Sequence, residues 1–85
     1  MLPNYLIICR SLTSAQRTVQ MLERAGIHAA IQRAPKHALE DGCSHAVRVA
    51  EQQVAKALSV LNRTELAPSR VFLQQVTGEY REVAL

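Results

Sequence analysis

An α+β domain of ferredoxin-like plan, with elements in the order βαββαβ, is what this chain of 85 residues predicts. Three observations carry that expectation. Apolar residues change period along the chain, from strand-like runs and alternations to helical spacings and back, in that order. The length suits one small domain and excludes two. Hydrophobic residues make up 48% and charged residues 20%, which supplies a core and excludes a disordered chain. Right-handed crossovers then place the third strand between the first and second, giving a four-stranded antiparallel sheet in the order 4-1-3-2 with two helices on one face.

Each element has its own signal. Residues 4–9 are nearly all apolar, as in a central strand. Thr13 followed by Gln16 fits a capping box, and Ala15, Val19 and Leu22 recur at helical spacing until Gly26 supplies a left-handed cap, so a helix is expected over 14–25. Ile27, Ala29 and Ile31 alternate with His28, Ala30 and Gln32 in a second strand ending near Arg33. Residues 34–42, with Pro35, Lys36, His37, Glu40, Asp41 and Gly42, read as a loop. Val47 and Val49 mark a third strand at 44–50, and Val54, Ala57, Leu58 and Leu61 a second helix ending near Asn62. Pro68 closes the next turn, and Val71 to Val76 is the fourth strand. The domain thus spans residues 1–76, with 77–85 a C-terminal tail or edge extension.

Composition narrows the function. The longest apolar run, Tyr5 to Cys9, falls far short of the roughly 20 residues a membrane span needs, and no basic stretch precedes it, so a cytoplasmic protein without a membrane partner is expected. A net charge of +3 favours anionic partners only weakly. Tyr5, Phe72 and Tyr80 are the only aromatics, too few to stack bases, which argues against nucleic acid. Paired carboxylates, a phosphate-cradling glycine loop and a nucleophile-base-orienter set are all missing, so neither an enzyme nor a bound cofactor is expected. Cys9, His37, Cys43 and His45 match no common zinc spacing, and no metal is expected.

Chemistry concentrates at Cys43. It follows Gly42 where a loop enters the third strand, and the inferred topology brings Arg10, Arg33, Lys36, His37, His45 and Arg70 to the same edge. Cations and a helix N-terminus stabilise a thiolate over a thiol, which would make Cys43 nucleophilic, with Lys36, His37 and His45 tuning it. His45 is two residues on, and an extended backbone would put it on the same side as Cys43, as a proton acceptor or a nearby charge. Cys9 reads as a small buried hydrophobe, with a resolving role also open because its end of the first strand lies near Cys43.

The run Tyr5-Leu6-Ile7-Ile8, the helix end Leu22-Glu23-Arg24-Ala25-Gly26-Ile27, the Ala34-Pro35-Lys36 turn, and Cys43 opening Ala46-Val47-Arg48-Val49 together resemble the selenium/sulfur carrier protein-like family of small bacterial domains. The resemblance covers roughly residues 4–65. It implies that Cys43 holds a chalcogen as a persulfide or selenide, taken from a donor protein and delivered to an acceptor protein. Pro35-Lys36 stands at the family's Pro-Arg turn. Ser44 stands where the family has glycine after its cysteine, and glycine precedes the cysteine instead, at Gly42, so either the loop differs or the carrier activity is altered. The Cys-Pro-x-Pro sulfur carriers are not matched. The competing reading is a non-catalytic protein-interaction or regulatory module, and unpaired sheet edges would let either form a homodimer.

Overall fold

A computed structural model describes residues 3–83 of the chain. Its elements are β1 (Asn4–Cys9), α1 (Leu12–Arg24), β2 (Ala29–Arg33), α2 (Lys36–Glu40), β3 (His45–Ala50), α3 (Val54–Leu61) entered through a 3-10 turn at Glu51–Gln53, β4 (Val71–Gln74) and β5 (Tyr80–Val83). The strands form one sheet in the order β2-β3-β1-β4-β5, each pair antiparallel. Read from the other edge this is 5-4-1-3-2 rather than the expected 4-1-3-2. A fifth strand and a third helix correct the four-stranded, two-helix expectation.

The core explains the arrangement. Leu6, Ile7, Ile8 and Cys9 of β1 are all buried, and since successive strand residues point to opposite faces, both faces of the sheet must be covered. On one face, Ile31, Val47, Ile7, Val71 and Val83 stand opposite one another across all five strands. Such a row of β-branched side chains is stiff at χ1 and suits a pleated surface. Ala15 and Leu22 of α1 and Ala57 and Leu61 of α3 pack into this front core with Ile7, Val47 and Val71. The back face carries a second, smaller core of Leu6, Ile8, Ala34, Ala38, Ala46 and Phe72, to which α2 contributes Ala38. The expectation of helices on one face alone is therefore corrected: α2 lies opposite α1 and α3.

Local chemistry sets the boundaries. α1 begins earlier than the Thr13 capping box implied, because Ser11 is the N-cap and its hydroxyl accepts from the Ser14 amide at 3.1 Å. It ends with Gly26 at φ +81°, where the Ile27 amide donates to the Leu22 carbonyl and the Gly26 amide to that of Glu23. That closure uses Ile27, so β2 starts at Ala29 and not at Ile27. After β4, Thr77 and Gly78 turn the chain back, and Tyr80–Val83 pair with β4 as an edge extension.

Replacing Leu22, which is wholly buried in the front core, by alanine should cost about 3 kcal/mol, read as a lowered urea midpoint.

Candidate functional site

The turn that carries Cys43 is a helix ending. Residues 34–42, expected as loop, hold the five-residue α2, whose N-cap Pro35 makes no side-chain hydrogen bond. So short a helix is unstable alone and depends on tertiary ties. Ala38 is fully buried on the back face. At the C-terminal end Gly42 takes φ +87°, the Gly42 amide donates to the Leu39 carbonyl at 3.0 Å, and the Cys43 amide donates to the Ala38 carbonyl at 2.9 Å. This pair of bonds is the Schellman closure, in which the residue after the left-handed glycine packs back on the helix. Cys43 occupies that place, and its side chain packs on the back cluster, to which α2 contributes Ala38. The positive φ of this turn therefore falls before the cysteine, and no residue other than glycine takes a positive φ among the described residues. Ser44 needs no glycine-like freedom.

The expected neighbours separate. Residues 43 and 44 lie outside β3, which begins at His45, although the Ser44 carbonyl still accepts from the Ala34 amide at 3.2 Å. His45 pairs directly with Cys9 and Arg33 across the sheet, and directly opposed residues share a face. Cys9 belongs to the front core and Cys43 packs on the back one. His45 and Arg33 thus stand with Cys9, on the other face from Cys43. Lys36 is exposed at the start of α2; His37 lies on the same helix, its side chain outside the described residues. Arg10 is exposed, and its carbonyl accepts from the Ser44 hydroxyl at 3.1 Å. The same hydroxyl lies 2.7 Å from His45 Nδ1. With its one proton given to the carbonyl, it accepts from Nδ1–H, leaving Nε2 as the acceptor of the neutral ring.

The two thiols are both free and differ in setting. Cys9 is 6% exposed, its Sγ 3.7 Å from the Ile7 carbonyl and 4.0 Å from Thr18 Oγ1. Burial pushes the Cys9 thiol above its ordinary pKa; contacts with Thr18 and Ser14 oppose this, and the charge of nearby Cys43 adds to it. Cys9 also borders a cavity of about 180 Å³ with Ser14, Thr18, Glu65 and Ser69. A larger apolar cleft of about 460 Å³ runs along α3 beside Tyr5, Val71 and Val83, over the front core and away from Cys43. Cys43 is half-buried and so within reach of solvent.

Arg70 is in the neighbourhood, but not as a loose cation. Its Nη1 donates to Asp41 Oδ2 at 2.6 Å, and Nε and Nη2 donate to the two carboxylate oxygens of Glu82 at 3.0 and 2.9 Å. Glu82 above all, then Asp41, hold the guanidinium still more firmly charged. The guanidinium also lies 5.2 Å from the Phe72 ring centroid. The helix had a legible signal in Pro35 and Gly42 bracketing Ala38 and Leu39, the usual asymmetry of helix ends. The Arg70 contacts had none, since they join residues far apart in the chain.

Gly42→Ala should lower stability by about 1–2 kcal/mol, because space around the missing Cβ is open and the cost is the left-handed backbone alone. For Cys9, a pKa raised in the folded state contributes stability that is full below the unfolded thiol's pKa and is lost as pH rises through the raised value. In a Cys43→Ser background, the urea midpoint should therefore fall more steeply on the alkaline side with Cys9 present than with Cys9→Ala.

Comparison with known proteins bears on this cysteine. Neither the curated proteins nor the solved structures yield a match. A family model described as putative Se/S carrier protein-like matches residues 4–73, from the start of β1 through Leu73 in β4 and with the Cys43 turn inside it. With most of its length in that match, the chain belongs to the Se/S carrier protein-like family.

Proposed function

We propose that the protein carries sulfur or selenium on Cys43, as a persulfide or selenide, between a donor protein and an acceptor protein. The observation that supports this most directly is the contrast between the two thiols: Cys9 is 6% exposed in the front core, whereas Cys43 is half-buried at a helix end inside the family match. In the loading step the Cys43 thiolate attacks the sulfane sulfur of a donor persulfide. The new Sγ–S bond forms as the donor's S–S bond breaks, and the donor leaves as a thiolate. In delivery an acceptor nucleophile takes the outer sulfur and the Cys43 thiolate is the leaving group. Cys43 ends unchanged, and the chain acts as a carrier rather than as an enzyme. Packing of the cysteine against the back cluster gives the cargo an apolar backing, and its partial exposure gives access.

Intact mass after incubation with inorganic polysulfide tests this. Wild type and Cys9→Ser should gain added sulfur that a thiol reductant removes, and Cys43→Ser should gain none. An adduct-free wild type, or equal loading of Cys43→Ser, would overturn the carrier reading; partner binding that survives Cys43→Ser would then favour an interaction module.

A further inference from the structure

We infer that Arg70 is a positioning residue for the carrier thiol, through which the C-terminal hairpin holds the Cys43 turn against the sheet. This rests on Cys43 being the functional cysteine. Three observations meet at Arg70. Its position in the fold is on the back face: the Arg70 carbonyl accepts from the Ile8 amide at 3.1 Å, and Leu6, Phe72 and Glu82 stand in one row across β1, β4 and β5. Phe72 and Ile8 belong to the cluster on which Cys43 packs. The guanidinium spans two elements, with one nitrogen on Asp41 and two on Glu82. Asp41 is the C-cap of α2, two residues before Cys43.

The direction of control follows from which end is weak. α2 has five residues and no side-chain N-cap, so its placement depends on Ala38 burial, the Gly42 closure and the Asp41 contact. Glu82 grips Arg70 with both oxygens, a paired geometry that fixes the plane of the guanidinium and aims its remaining nitrogen at Asp41. Asp41 is thereby tied to a cation instead of standing as an unpaired negative charge two residues from the thiol. Glu82 lies on β5, beyond the segment matched by the family model, which ends at residue 73. β5 thus lies beyond the matched segment and, through Arg70, is tied to Asp41 two residues before the cysteine.

Iodoacetamide alkylation of Cys43 in the full chain tests this, in a Cys9→Ser background and followed by peptide mass. Amide exchange is measured on the same proteins. Glu82→Gln, which keeps shape and removes charge, should speed Cys43 alkylation by about two- to five-fold, the scale of an exposed ion pair of good geometry. The Gly42 and Cys43 amides should exchange faster by a similar factor while those of β1 do not change. Arg70→Lys, which keeps the charge and loses the fork, should fall between. Unchanged alkylation in Glu82→Gln, or an equal rise in exchange throughout β1, would overturn the assignment. Neither outcome depends on whether polysulfide loads Cys43, so this inference and the carrier reading fail separately.

Discussion

Burial of β1 on both faces governs this fold. Four consecutive residues, Leu6 to Cys9, are shielded from water although only alternate ones point toward α1 and α3. Leu6 and Ile8 face the other way and need cover of their own, and in a chain this short little remains to supply it. The cover comes from β2's exit, five residues of helix and Phe72. Because that patch is made by the connection between β2 and β3, the residue that ends the connection is drawn into it. Cys43 packs on the back core for this reason.

The same demand gives the two cysteines different chemistry at neighbouring places in the sheet. Cys9, at the end of β1 opposite His45, inherits the burial of that strand, and desolvation raises its thiol pKa. Cys43 stands between a helix end and β3, where Gly42 reverses the chain, and is only partly buried. Ser44 is held separately, its hydroxyl bonded to the Arg10 carbonyl after β1 and to the His45 ring. The site is built of backbone closures more than of side-chain partners, and among the described residues no hydrogen bond reaches the Cys43 thiol.

Some of the cations here are already engaged by carboxylates. Arg70 is bound to Asp41 and Glu82, and Arg17 to Glu65, so counting cations near a cysteine overstates the field that acts on it. What matters is how each cation is already engaged. Arg70 acts chiefly as a tie between β4, β5 and the end of α2.

By itself, the sequence determined the elements whose residues repeat with a clear period: the apolar run of β1, the helical stripes of α1 and α3, and the alternation in β3. Those signals are local, since each arises from one element burying one face. The tertiary structure decided the rest. α2 has too few residues to show a stripe, and β5 is a polar edge strand that forms only because β4 offers its unpaired side. The faces of Cys43 and His45 could not be read by counting residues, because parity holds only within a strand and Cys43 lies before β3 begins. Arg70's hold on Asp41 and Glu82 joins residues separated by 29 and 12 positions, and such pairings exist only once the sheet has brought the chain together.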